Sequence, residues 1–144
     1  MKKIIITASL FIVFYGCQSQ KRVAELALNK PLQSTIWILK SIEKQNIDSN
    51  QSYKPYIVFD TNGRYFGNFG CNKFFGSYFA KKQKISMDYM GATKKLCSEM
   101  EIEKIFSKNI KQNMSHYKIF RDTLILFDNT SEKLRFIATE NLFE

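Results

Sequence analysis

The most reactive side chains of this chain belong to three cysteines and a single histidine. A cysteine nucleophile needs a neighbouring base to remove its proton, which makes Cys71 with His116 the pair to consider. His116 opens a predicted strand, where a lone histidine is more often a partly exposed structural residue than a base. The chain contains no G-x-S-x-G, P-loop or H-E-x-x-H motif. We therefore predict no catalytic residues and no enzymatic activity.

The sequence does not indicate a metal or cofactor site either. A single histidine disfavours a zinc centre built from several imidazoles. Asp60, Asp88 and Asp122 lie in or beside predicted turns, which indicates turn formation rather than a pair of acid–base carboxylates. We predict neither metal ligands nor cofactor-binding residues.

The first cysteine follows a segment with the order of a signal peptide. Lys2 and Lys3 precede an apolar run over residues 4–15, and Gly16 stands directly before Cys17. This order resembles a bacterial lipobox, although the two residues before Gly16 are bulkier than usual. An ordinary cleaved signal with an incidental Cys17 is the alternative. We predict a signal peptide over 1–16, lipidation of Cys17 and a flexible tether over 17–32.

Lipidation would fix where the protein resides. Two or three acyl chains on Cys17 suffice for stable anchoring, so the membrane is a predicted partner through the N-terminal lipid. The expected location is the bacterial cell envelope, on the inner or outer membrane, with the domain on the periplasmic or cell-surface side.

The other two cysteines either form a disulfide or remain buried thiols. Cys71 and Cys97 are 26 positions apart, and a bridge over such a loop contributes roughly 3–4 kcal/mol in the loop-entropy account. Lipidation of Cys17 would leave them as an even pair in an oxidising compartment. Cysteine also packs well as a small apolar residue, so the sequence leaves both states open.

The charge pattern disfavours nucleic acid. Of the 22 Lys and Arg residues, two lie in the predicted signal, which leaves 20 against 13 Asp and Glu. The lysines are scattered along the chain, as on a solvated surface. The aromatic spacing around Arg64 and Lys73 does not follow an RNA-binding pattern. We predict a monomeric domain that does not bind nucleic acid.

The remaining sequence indicates strands around one helix. Trp37 lies in an apolar strand over 35–42 and is a candidate core anchor, and Asn62-Gly63 predicts a two-residue hairpin turn. Ser98 and Glu101 predict a capping box at the start of a helix over 99–113, whose apolar face is Ile102, Ile105, Phe106 and Ile110. Short strands are predicted before the helix over 56–60, 64–68, 73–80 and 84–87, and after it over 116–120, 123–127 and 134–139. Strands, one helix and further strands predict an antiparallel α+β fold.

The segment 63–97 combines glycines, large rings and small polar residues. Gly67, Gly70 and Gly76 indicate sharp turns or close backbone approach. Asn72 and Thr93 either contact a ligand or satisfy backbone groups of their loops, and the second role is the commoner one. Seven rings are too many for one face of one strand, so we predict that most of them are core; a ligand cup lined by them is the alternative. They are Tyr65, Phe66, Phe69, Phe74, Phe75, Tyr78 and Phe79.

Four motifs together resemble the META domain of HslJ-like heat-shock proteins. They are Trp37-x-Leu39-x-x-Ile42, Gly67-x-x-Gly70-Cys71-Asn72-x-Phe74-x-Gly76-x-Tyr78, Met90-x-x-Thr93-x-x-x-Cys97 and Glu103-x-x-Phe106. The resemblance implies a strongly curved antiparallel sheet, close to an open barrel, with one packed helix in a domain over 33–143. It also implies an exported or membrane-anchored protein, often linked to stress, and brings no established reaction.

Two functions remain open at this stage. The favoured one is a noncatalytic envelope lipoprotein that contacts another envelope component, in a stress-related role. The alternative is a small-molecule or lipid-binding cup on the same curved sheet. A filled core with an exposed apolar patch would favour the first function, and an internal apolar cavity would favour the second.

Overall fold

The computed structural model describes residues 28–47, 54–98 and 100–141. The predicted signal segment, Cys17 and most of the predicted tether lie outside this range. Within it, no helix has the length and apolar character needed to cross a membrane. The chain is attached to the domain earlier than the predicted boundary at residue 33, because Leu32 is buried and the Lys30 amide donates to the Arg121 carbonyl over 2.7 Å.

The described residues form one antiparallel sheet and one helix. In chain order the elements are β1 (Ile36–Ile42), β2 (Gln45–Asn46), β3 (Tyr56–Phe59), β4 (Arg64–Asn68), β5 (Lys73–Lys81), β6 (Lys84–Ala92), α1 (Glu101–Ile110), β7 (His116–Phe120), β8 (Thr123–Phe127) and β9 (Glu132–Thr139). Neighbouring strands pair in the order β2-β1-β3-β4-β5-β6-β7-β8-β9, and β1 also pairs with β9. The sheet therefore curves into a ring, as the α+β prediction with a strongly curved sheet required.

The two ends of the ring carry different connections between the strands. Because successive strands are antiparallel, the β3–β4, β5–β6 and β7–β8 turns lie at one end, together with the chain that leads into β1. We call this the turn end. The opposite end, which we call the helix end, carries α1 and the connections between β4 and β5, between β6 and β7, and between β8 and β9.

The interior of the ring is filled by large side chains. Alternation along the strands points every second residue inward, and the helix closes one end by inserting Phe106, whose ring centroid lies 5.1 Å from Phe69 and 5.6 Å from Phe74. The largest fully buried side chains are Trp37, Tyr65, Phe59, Phe69, Phe74, Phe106, Phe136, Ile57, Ile110, Leu124, Leu126 and Leu134. Trp37 is thus a core anchor, and its indole donates to the Leu32 carbonyl over 3.0 Å.

Two predicted glycines permit this packing. A Cβ on Gly67 would overlap the Tyr56 carbonyl oxygen, and one on Gly76 would overlap the Asp88 carbonyl oxygen and the Tyr65 ring. Both positions bring neighbouring backbone and an aromatic ring into the space that a side chain would fill, which is the close approach that the sequence indicated.

The seven rings of segment 63–97 divide between the two faces of the sheet. Tyr65, Phe69, Phe74 and Tyr78 are buried inside the ring, whereas Phe66, Phe75 and Phe79 are exposed outside it. This division follows from strand alternation along β4 and β5. The prediction that most of them are core holds for four of the seven.

The predicted two-residue turn at Asn62-Gly63 is wrong. The loop spans residues 61–63, is closed by a hydrogen bond from the Asp60 amide to the Arg64 carbonyl, and has positive φ only at Gly63. The Asp60 carboxylate accepts the amides of Asn62 and Arg64, each at 2.8 Å. These bonds stabilise the longer turn and remove the need for positive φ at Asn62.

The helix also differs from its prediction. It starts after Met100 without a side-chain cap, so the Ser98–Glu101 capping box is wrong, and it ends at Ile110. Its buried residues are Glu103, Phe106, Asn109 and Ile110, while Ile105 is exposed. The inner face of the helix therefore includes Glu103 and Asn109 but not Ile105. Glu103 can be buried because it is hydrogen-bonded to Asn72 in the β4–β5 turn.

Candidate functional site

The candidate site is built around the turn between β4 and β5. Gly70 has a φ of +130°, a conformation that favours glycine. Its amide donates to the Asn68 side chain over 2.7 Å, and the Phe69 amide donates to the Asn72 carbonyl over 2.8 Å. This tight turn directs the Asn72 side chain inward, where it is buried.

The Asn72 side chain uses its full hydrogen-bonding capacity on the protein itself. Its nitrogen donates to Glu103 Oε1 over 2.7 Å and to the Lys95 carbonyl over 3.0 Å. Its oxygen accepts from the Thr93 hydroxyl at 2.7 Å and from the Lys95 amide at 2.6 Å. An asparagine side chain has two donors and two acceptor positions. Asn72 therefore holds the loops together and has no group left for a ligand.

Glu103 is the residue that sequence reasoning missed. Its carboxylate is buried and accepts the backbone amides of Asn72 at 2.8 Å and Cys71 at 3.2 Å, besides the Asn72 side chain. Hydrogen bonds to a carboxylate are stronger than neutral ones, and three of them compensate this charge for its loss of water. The sequence indicated Glu103 only as a member of the family motif Glu103-x-x-Phe106, without a role of its own.

Thr93 joins the same network from the end of β6. Its hydroxyl accepts the Lys73 amide at 3.1 Å while donating to Asn72, and its own amide donates to the Lys73 carbonyl over 3.0 Å. The hydroxyl is therefore engaged with backbone and amide groups, as expected for a structural threonine.

The two cysteines complete the attachment of the loop over residues 93–98. Cys71 and Cys97 form a disulfide with a Cα–Cα distance of 6.2 Å, which decides between the two states that the sequence left open. The loop is consequently fixed at Thr93, at Lys95 and at Cys97. Leu96 lies between the last two fixed points and is 94% exposed.

The disulfide and the fold keep the considered Cys71–His116 pair from forming. The Cys71 sulfur is bonded to Cys97, and His116 pairs with Lys84 at the start of β6, far along the ring from the Asn72 turn. The His116 ring stacks on Phe127 with centroids 4.6 Å apart, and its Nδ1 lies 2.9 Å from the Ser115 hydroxyl. Among the described residues, no three His, Cys, Asp or Glu side chains are grouped for a metal ion.

Perturbed groups lie outside the Asn72 network. Burial raises the pKa of Tyr65, and the charges of Tyr89 and Asp88 raise it further; its hydroxyl has no hydrogen-bond partner. At the β8–β9 turn, the amides of Thr130 and Ser131 hold the pKa of Asp128 well below its usual range. Both effects are consistent with structural roles in packing and in a turn.

These features define the class of the protein first by its fold. It is a small antiparallel ring closed by one helix, in which a buried Asn–Glu pair and a disulfide fix an exposed loop. The META domain family matches residues 30–141, and the chain belongs to this family. The HslJ-like resemblance of the sequence is thereby confirmed.

Solved structures of similar chains share the fold. One, described as the NMR structure of a protein from Burkholderia xenovorans, has a TM-score of 0.59 and 20% identity, over 76% of this chain and 85% of that chain. A second NMR structure has a TM-score of 0.58 and 18% identity, over 73% of this chain and 89% of that chain. No curated protein matches this chain. At these identities the likeness concerns the fold alone.

Proposed function

We propose that this protein is a noncatalytic, lipid-anchored component of the bacterial cell envelope that binds another envelope protein through the 93–98 loop. The observation that carries the proposal is the way the loop is held. The Asn72 side chain bonds Thr93 and Lys95, and the disulfide fixes Cys97. Glu103 holds Asn72 itself. The side chain presented between the fixed points is the apolar Leu96.

The chemistry of the loop indicates the kind of partner. Leu96 follows Lys94 and Lys95, and all three side chains are exposed. Because the backbone is held on both sides of Leu96, binding orders less of the loop than it would in a free segment. Adjacent cations favour an acidic rim. The partner site that fits is an apolar pocket bordered by carboxylates.

The filled interior favours this interaction over the ligand cup. Stacked and edge-on aromatic side chains occupy the centre of the closed sheet, and the centroids of the Phe69 and Phe74 rings are 4.0 Å apart. Phe106 lies against both. A ligand inside the sheet would have to displace close-packed side chains, which is costly in a well-packed core.

The test of the interaction is site-specific crosslinking in native membranes. A photoreactive residue at position 96 should give a reproducible crosslinked protein, whereas the same residue at the exposed position Lys40 on β1 should not. Leu96→Glu, which leaves the core unchanged, should abolish copurification of that protein. Crosslinking of equal yield from both positions, or copurification unaffected by Leu96→Glu, would contradict the proposal.

The anchor is tested separately by the mass of the mature protein. The expected result is Cys17 at the new N-terminus with a diacylglyceryl group on its sulfur, with or without a further acyl chain on its amino group. Cys17→Ala should remove both the modification and cleavage at residue 16. An unmodified mass of the unaltered protein, or cleavage at another position, would end the lipoprotein proposal without affecting the loop.

A further inference from the structure

The turn end of the ring carries an excess of exposed positive charge. Its cations are Lys30, Arg64, Lys81, Lys82, Lys84 and Arg121, and its acids are Asp60, Asp122 and Glu140. Two of the three acids are already engaged, since Asp60 accepts amides of its own turn and Glu140 lies 3.3 Å from Lys30. The four cations of the β5–β6 and β7–β8 turns face solvent.

Exposed aromatic rings lie among these cations. Phe79 on the outer face of β5 is 69% exposed, and Phe120, the last residue of β7, is 48% exposed. The Arg121 guanidinium lies 5.4 Å from the centroid of the Phe120 ring. Rings beside cations are the composition of surfaces that enter the interface of a charged bilayer.

An open groove beside Phe79 adds polar groups to the same surface. Its lining includes Phe79, Lys81, Lys84, Ser86 and His116. Ammonium and hydroxyl groups against one apolar wall suit an anionic oxygen group attached to an alkyl chain.

The β7–β8 turn lies near the β5–β6 turn. The Tyr117 amide donates to the Gln83 carbonyl over 2.8 Å, so β7 begins beside the β5–β6 turn. Phe120 and Arg121 follow at the end of the same short strand.

We propose that the turn end rests on an anionic phospholipid surface. Phe79 and Phe120 enter the headgroup region, while Lys81, Lys82, Lys84 and Arg121 contact phosphate groups. Basic residues held near an anionic leaflet each strengthen binding severalfold, and the attraction is screened by salt.

The chain before β1 leaves the domain at this same end. The Asn29 side chain accepts the Arg121 amide at 2.6 Å, and the Lys30 amide donates to the Arg121 carbonyl over 2.7 Å. If Cys17 is lipidated as proposed above, the 10 residues over 18–27 bridge at most about 35 Å when extended. The lipid and the basic surface then act on one membrane, and the 93–98 loop at the helix end faces away from it. The surface itself does not depend on the lipid.

The experiment uses the lipid-free domain that starts at Leu28. Its strands, helix and disulfide all lie within 28–141, and the similar solved chains consist mostly of this domain, so it folds without the preceding segment. The domain should sediment with vesicles of phosphatidylglycerol and phosphatidylcholine but not with phosphatidylcholine alone. Binding should weaken as salt rises from about 0.1 to 0.5 M.

Two charge variants make the test specific for the turn end. Replacing Lys81, Lys82, Lys84 and Arg121 by Gln should reduce vesicle binding at least about tenfold. Replacing Lys94, Lys95, Lys104 and Lys108 at the helix end removes the same number of charges and should leave binding within about twofold. Circular dichroism checks that both variants fold. Equal losses in the two variants would overturn the proposal, because net charge alone would then explain binding.

A second measurement tests directly whether the aromatic side chain at position 79 enters the membrane. Phe79→Trp should show a blue-shifted emission on adding anionic vesicles, against the constant signal of buried Trp37. An unshifted emission with bound vesicles, or no binding of the unaltered domain to anionic vesicles, would overturn the proposal. Binding to an acidic polypeptide in place of vesicles would do the same and would assign the surface to an acidic protein. None of these outcomes bears on the mass of the mature protein that begins at Cys17, so the lipid anchor is tested independently.

Discussion

Glu103 Oε1 lies 2.7 Å from the side-chain nitrogen of Asn72, and Glu103 Oε2 lies 2.8 Å from the Asn72 backbone nitrogen. The Glu103 carboxylate thus accepts hydrogen bonds from both the backbone and the side chain of Asn72 in the β4–β5 turn. Since Asn72 in turn holds Thr93 and Lys95, the helix, the turn and the 93–98 loop are mechanically one unit.

Replacing this carboxylate should destabilise the domain markedly. Glu103→Gln turns one acceptor oxygen into a donor that faces N–H groups, and a buried group left unsatisfied in this way costs about 2–3 kcal/mol. Denaturant unfolding measures the loss. Glu101→Gln on the exposed side of the same helix is the matched control and should change the free energy of unfolding by less than about 1 kcal/mol. Equal effects of the two substitutions would show that Glu103 acts only through the helix dipole.

The disulfide should stabilise the domain through the loop that it closes. Cys71→Ser with Cys97→Ser, made in the domain starting at Leu28, is expected to lower the free energy of unfolding by roughly 3–4 kcal/mol. Thiol labelling of the denatured, unreduced domain should find no free cysteine. Two labels per chain would contradict the bridge.

Gly76 should tolerate no side chain. An added Cβ would overlap the Asp88 carbonyl oxygen and the Tyr65 ring, so Gly76→Ala should cost about 3 kcal/mol or more, or prevent folding. Gly91→Ala is the control, because its Cβ would meet the Phe75 ring at an ordinary 3.4 Å. Thermal unfolding of both variants measures the difference. A Gly76→Ala protein as stable as Gly91→Ala would mean that the sheet yields at this position.

Asp128 should make stability depend on acid pH. Its pKa is lowered from the ordinary 3.8 by the amides of Thr130 and Ser131, so its contribution is present above pH 4 and is lost as the pH falls further towards the lowered pKa. Asp128→Asn keeps an acceptor oxygen but cannot titrate. The stability difference between the two proteins, measured by urea unfolding, should be largest at neutral pH and shrink below pH 4. A difference that is independent of pH would exclude this carboxylate as the titrating group.

Local pattern predicted the strands best where a polar turn adjoins them. The bounds of β4, β7 and β8 match their predictions, because each strand is preceded or followed by such a turn. By contrast β6 extends to Ala92, beyond the predicted end at Met87. A register shift opposite Phe75 and Gly76 interrupts the alternation there, and such a bulge leaves no periodic signal in one strand.

The sequence predicted the roles of only some residues at the centre of the site. Asn72 and Thr93 were recognised as loop-holding residues because their types and positions are typical of turns. Glu103 was not, since an acid in the first turn of a helix already has a local explanation and its partner lies in a different part of the chain. The state of Cys71 and Cys97 depended on a distance that no spacing provides.

The pairing of Ile36 with Thr139 has a consequence for how the domain is made. The first and last strands of the ring are neighbours, so β1 lacks a partner on one edge until the residues of β9 have emerged from the ribosome. Contacts between such distant positions slow folding. The domain therefore acquires its final structure only after β9 has been synthesised. Loss of the eight residues of β9 would leave an edge of β1 exposed to association with other chains.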